Sequence, residues 1–210
     1  MAWNLVLAAL FLGLWSTKIT AQSVQLSERN SGRRTVNARI GATIEIAVNA
    51  RWGRFSASGV SLYVGLPHGA FEVVHSGSQN TEDVTPFRPG RLFEDAAIVA
   101  NRVMASNPGL PDNLDVIQYV AVTGPGENRA RTGSGTLATF KLRCTGAISE
   151  GKINVFSNPV FESRLVSATD NSERPFFIGE SLNINVGRVT AVEHSSWALI
   201  KKAPREDGLN

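Results

Sequence analysis

One cysteine, Cys144, stands in the 210 residues, so no internal disulfide framework can hold this chain together. Three histidines, His68, His75 and His194, lie far apart, and no His-x-x-x-His or paired-cysteine spacing occurs, which leaves a zinc site without a ligand set. Lys and Arg number 21 against 18 Asp and Glu, a weak excess scattered along the chain. No basic stripe interleaved with aromatics appears, so nucleic acid is not an expected partner. Calcium would need alternating oxygen ligands closed by a glycine turn. Asp112-Asn113-Leu114-Asp115 comes nearest, and it is too short and lacks the glycine. The sequence therefore calls for no metal and no cofactor, and stability has to come from apolar burial.

Long apolar runs are also scarce. Only Leu5 to Trp15 is unbroken, and at 11 residues it falls short of the roughly 20 needed to span a bilayer. It has the length of a signal-peptide core, and Ala21 supplies a small residue for cleavage. Residues 1–21 are expected to be a signal peptide, residues 22–187 a single domain, and residues 188–210 a linker and short C-terminal tail. An uncleaved anchor is the alternative, since the first residues carry no Lys or Arg. The mature protein is expected to be secreted or at the cell surface, with no membrane contact after cleavage.

What is abundant is period-two alternation. Ile44, Ile46 and Val48 share a face, as do Val60, Leu62, Val64 and Leu66, and then Ala138, Phe140 and Leu142. Phe71 to Val74, Leu114 to Thr123, Ile153 to Val155 and Leu182 to Val186 read as further strands, with Gly, Pro, Asn and Ser clusters in the gaps. Arg91 to Met104 differs: Leu92, Ala96, Val99 and Val103 recur at helical spacing and predict one short helix inside the long loop from Ser76 to Pro111. The expected fold is all-β, an antiparallel β-sandwich of jelly-roll type with about nine strands. Cys144 continues the inward face of Phe140 and Leu142 and reads as a core residue rather than a catalytic thiol.

Three segments carry a resemblance. Ile40 to Val48 places a Gly-x-Thr turn ahead of an alternating strand. Gly59 to Leu66 is followed, after a turn, by Phe71-Glu72-Val73-Val74. Gly133 to Leu142 reads GSGTLATFKL. In this order and spacing they resemble the cohesin domains of bacterial extracellular proteins, over roughly Val24 to Val186. Pro67-His68 departs from the turn usual at that point. The resemblance implies a module that grips the paired helices of a dockerin with one sheet face, in an assembly that degrades polysaccharide. Carried onto this chain, the outward positions of the matching strands are Ser61, Tyr63, Thr139, Lys141 and Arg143, with Gln118 joining if its strand shows that face.

A carbohydrate-binding module is the alternative reading. Trp52 and Phe55, in an expected loop, would then stack on sugar rings, with Tyr63 as a third ring. A catalyst has little to stand on. The paired acids Glu82-Asp83 and Glu94-Asp95 are adjacent in loops, whereas glycoside hydrolysis needs carboxylates facing each other across a cleft about 5 to 10 Å wide. The glycine-rich stretch Gly124 to Gly135 has no lysine and leads into a strand, so it is no phosphate loop. The expected partner is a dockerin-like protein or a polysaccharide, and the chain is not expected to be an enzyme.

Overall fold

The computed structural model describes residues 22–75, 85–104, 109–123 and 130–187. The expected signal peptide and tail, the acids Glu82-Asp83, half of the glycine-rich stretch and His194 lie outside them. Thirteen strands follow in chain order: β1 (Ser23–Glu28), β2 (Thr35–Arg39), β3 (Thr43–Pro67), β4 (Phe71–Val74), β5 (Phe87–Pro89), β6 (Ala97–Met104), β7 (Leu114–Val122), β8 (Arg131–Cys144), β9 (Ile148–Phe156), β10 (Arg164–Ser167), β11 (Glu173–Pro175), β12 (Phe177–Ile178) and β13 (Leu182–Gly187).

The organising element is β3, 25 residues long. Its first half pairs with β1 on one side and β8 on the other, Ile46 standing opposite both Glu28 and Phe140. Its second half pairs with β7 on one side and with β10 and then β9 on the other. Between the halves, the ladder to β8 shifts register repeatedly from Val48 to Ala57, and Gly53 takes a φ of 58° that a side chain would resist. The strand thus turns over and carries the hydrogen-bonded ladder from one layer to another.

Layer one is β1, the first half of β3, and β8, with β4 and β5 lined up end to end along the far side of β8. Layer two runs β6–β7–β3–β9/β10, then β13 and β2. Even-numbered residues point inward along most of β3. Ile46, Val48 and Trp52 from its first half and Leu62 and Val64 from its second are all fully buried in one core. Phe87 of layer one meets Phe140 at 5.1 Å and Tyr119 of layer two at 5.3 Å between ring centres, so the two inward faces pack on each other.

The all-β sandwich and the inward sets read from alternation are present, and Cys144 is fully buried. Three expectations are corrected. The sheet is mixed rather than purely antiparallel, because β1–β12 and β2–β13 are parallel. Thirteen strands form among the described residues, since short pieces such as β5, β11 and β12 are too brief for alternation to mark them. The expected helix over Arg91 to Met104 is not formed: residues 91–95 turn, and Ala97–Met104 is strand β6, hydrogen-bonded along β7. The spacing of Val99 and Val103 marks no buried stripe, as they are 65% and 39% exposed. β-branched residues and an available ladder on β7 decide the conformation.

Candidate functional site

Because β3 turns over, outward side chains of its two halves lie on opposite surfaces of the sandwich. Ser61, Tyr63 and Gln118 belong to the outer face of layer two, Tyr63 standing directly opposite Gln118 in the ladder. Thr139, Lys141 and Arg143 belong to the outer face of layer one, opposite Ala47, Glu45 and Thr43. The single face expected from the sequence is therefore two faces, and no one surface carries all six candidate residues. Alternation reports inside against outside within one layer; it does not report which layer.

On layer one, Thr139 is only 7% exposed. Arg143 is exposed and lies 3.5 Å from Glu72. Lys141 is half-buried, beside a polar cleft of about 540 Å³ that runs between Glu28, Glu45 and the edge strand β2. Glu28 in that cleft is held below the usual carboxylate range, first by the Ser31 side chain and then by the backbone N–H of Asn30.

On layer two, the outer surface is organised by hydrogen bonds. Arg102 of β6 donates from Nε to Gln118 Oε1 at 2.9 Å, and Gln118 Nε2 donates to the Tyr63 hydroxyl at 2.9 Å. Gln118 is 8% exposed, so it lies beneath Arg102 and Tyr63 instead of beside them. The Tyr63 ring packs edge-on against Phe161 at 5.6 Å. Phe161 is set there by a turn in which Asn158 Oδ1 accepts the backbone N–H groups of Val160 and Phe161, while its Nδ2 donates to the Gly109 carbonyl. Ser163 receives the Tyr63 backbone N–H and donates to the Phe156 carbonyl, spanning the point where β9 gives way to β10 as the neighbour of β3. Beside Tyr63 lies a shallow cavity of about 280 Å³ lined by Ser61, Val160 and Arg164, the last ion-paired to Glu162 and Glu173.

Among the described residues, seven large hydrophobic side chains are exposed, and five of them belong to this layer and its margin: Val122 on the outward side of β7, Val160 at the cavity, and on the edge strand β6 Val99 together with Ile98 and Val103, which stand opposite the inward Ala121 and Ile117. The sugar-stacking candidates fare differently. Trp52 and Phe55 sit in β3 and not in a loop; Trp52 is fully buried against Phe93, at 5.6 Å between rings, and Phe55 packs partly on the core. Trp52 has no face to offer a sugar. Among the described residues, no group of three or more His, Cys, Asp or Glu could hold a metal ion, and Asp115 is engaged by His68 at 2.8 Å.

Arg102 is the member of the layer-two surface that the sequence reading passed over, since it fell in the expected helix. Placing Ile98 to Met104 as a strand would have set Arg102 and Ala100 on one face by alternation.

A sandwich whose two layers share one long, turned-over strand is a recognisable architecture, and solved structures match it. The described chain has a cohesin-like fold. A type II cohesin domain from the cellulosome of Acetivibrio cellulolyticus superposes with a TM-score of 0.57 at 15% identity, over 79% of this chain and 95% of that one. A type I cohesin–dockerin complex from Clostridium thermocellum gives 0.54 at 13% identity, over 80% and 95%. The third cohesin of ScaC, solved with the ScaB dockerin from Acetivibrio cellulolyticus, gives 0.54 at 12% identity, over 79% and 98%. No protein-family model matches the chain, and no curated protein matches it.

Proposed function

We propose that this chain is a secreted, non-catalytic docking module that binds a dockerin-like protein through the outer face of layer two. The observation that carries the reading is the ordered polar set Arg102, Gln118 and Tyr63 on that face, with exposed Val122 in register beside it and exposed Val160 at the cavity next to Tyr63. Apolar contact area surrounding a few fixed polar groups is the usual composition of a protein-binding patch, and scattered single hydrophobics would carry no such meaning. Similar solved cohesins that are bound to dockerins support the kind of partner. The carbohydrate-binding alternative has less support, because Trp52 is in the core and Tyr63 is the one ring among the three candidates that reaches the outer face of layer two.

The test is capture of partners from the source organism's secreted proteins, with polysaccharide pelleting alongside, followed by mapping on variants. Interface energy concentrates in a few aromatic and arginine positions worth about 2 kcal/mol or more. Tyr63→Ala should therefore weaken the captured partner about thirtyfold, and Arg143→Ala on the opposite layer should leave binding unchanged. Equal binding by Tyr63→Ala and wild type, or loss in Arg143→Ala alone, would overturn the assignment of the face.

A further inference from the structure

The hydrogen-bond chain on layer two has a fixed polarity. A guanidinium has donors and no acceptor, so the Gln118 carboxamide must turn its oxygen towards Arg102. Its NH2 group is then committed to the Tyr63 hydroxyl oxygen, which accepts, and the phenolic proton is directed away from Gln118. Arg102 itself is exposed, and with Nε held, its two terminal amino groups bond no described residue. Neighbouring cations on this layer are compensated: Arg164 by Glu162 and Glu173, Arg174 by Asp170. Among the described residues, the terminal amino groups of Arg102 thus have no carboxylate partner, whereas the outward carboxylates Glu162 and Glu173 are already taken by Arg164.

We propose that Arg102 is a carboxylate-binding residue, taking an aspartate or glutamate side chain from an acidic stretch of the docking partner on its terminal N–H pair, with the Tyr63 hydroxyl as the adjacent donor. The inference rests on the docking reading and names the chemistry the partner brings. A planar guanidinium whose Nε is already anchored loses little freedom when it forms two parallel bonds to a carboxylate, and such forked pairs are among the stronger hydrogen bonds proteins make. Exposed Val122 on the same face and Val160 beside Tyr63 fit peptide side chains better than a uronic-acid polysaccharide, which carries the same carboxylate without apolar partners.

The experiment titrates the full chain with a helical Ala/Leu-based peptide bearing glutamates on one face, with its all-glutamine twin, and with polygalacturonate. Nε–Hε NMR signals of the arginines and calorimetry provide the readout. The Arg102 signal should move with the glutamate peptide and stay still with its twin. Arg102→Gln should weaken the glutamate peptide about tenfold, and Arg102→Lys, which keeps the charge and loses the fork, should weaken it nearly as much. Gln118→Glu, which hands the guanidinium an internal counter-ion, should also weaken it, and Arg143→Gln on the other layer should not. Equal affinity for the two peptides, wild-type binding by Arg102→Gln or Arg102→Lys, no movement of the Arg102 signal at millimolar peptide, or a response to polygalacturonate alone would each overturn the proposal. Should Gln118→Glu fail to fold, the two Arg102 variants, changed at an exposed position, still decide it. A captured partner that needs Tyr63 and ignores Arg102 removes the carboxylate site and leaves the docking reading. A peptide response at Arg102 with every captured partner bound elsewhere does the reverse.

Discussion

Replacing Phe140 by alanine tests the packing of the two layers more directly than any other change. The side chain is 1% exposed, at the middle of β8, with Ile46 of β3 opposite on one side and Phe87 of β5 on the other. Its ring lies 5.1 Å from that of Phe87, which in turn touches Tyr119 across the core. Truncating a buried phenylalanine costs about 3 to 5 kcal/mol, and the amount depends on how far the walls can close over the cavity. Here both flanks of β8 are held by ladder bonds and the wall opposite is the other layer, so little closure is available. The lost ring pair adds to the same direction, about 0.5 to 1.5 kcal/mol by itself. The upper half of that range is expected, about 4 to 5 kcal/mol, a third or more of a typical domain's stability. With a urea m-value of about 2 kcal/mol/M, the unfolding midpoint should fall by about 2 M. Circular dichroism and tryptophan fluorescence should report the same transition. Phe177→Ala, at a ring 66% exposed, is the matched control and should stay within about 0.5 kcal/mol of wild type. A midpoint loss of less than about 0.5 M in Phe140→Ala would refute the packing of layer one on layer two at this point.

Two further predictions concern the edge and the core. Asn101 of β6 receives the Phe87 backbone N–H at 2.9 Å and donates to the Phe87 carbonyl at 2.7 Å, tying the edge of layer two to that of layer one; Asn101→Ala should cost about 1 to 3 kcal/mol in the same urea assay, and an unchanged midpoint would show that the tie contributes nothing. Cys144 is fully buried and its thiol is pushed up by desolvation, so a disulfide reagent such as dithionitrobenzoate should leave the native protein untouched at pH 8 and titrate one thiol in urea; prompt reaction in the native state would place Cys144 at the surface.

Much of the fold was legible because burial imposes alternation. Every even-numbered position from Ile44 to Val48 and from Val60 to Leu66 is 7% exposed or less, as are Ala138, Phe140 and Leu142. The stretch joining the first two sets was misread for a local reason. Arg51 to Gly59 contains two glycines and three serines or alanines beside its aromatics, a composition typical of loops. Alternation nevertheless runs on into its start, since Ala50 and Trp52 hold the parity of Ile44, and it breaks only where the strand turns over, with Arg54 exposed and Ala57 buried. Edge strands were harder to see. β5, β11 and β12 have three, three and two residues, too few for a period to show.

Site residues were less legible than core residues, and β3 explains why. Tyr63 and Lys141 each read as outward, and each is outward, yet the chain turns over between Arg51 and Gly59, so outward in one half is the reverse of outward in the other. No local pattern carries that information; it arises from which strands pair with which half. The consequence reaches function. A partner gripping layer two meets Tyr63, Arg102 and Val160, with Gln118 fixing the first two from below. A partner gripping layer one would instead meet Lys141, Arg143 and the Glu28–Glu45 cleft, a surface of mixed charge in which Arg29 already compensates Glu45 and Glu72 lies against Arg143. Ion pairs already formed at an exposed surface must be broken or shared for a partner to use them, whereas the terminal amino groups of Arg102 need only shed water. The hydrogen bond that Gln118 accepts from Arg102 thus separates the two faces, because it orients a charge without neutralising it.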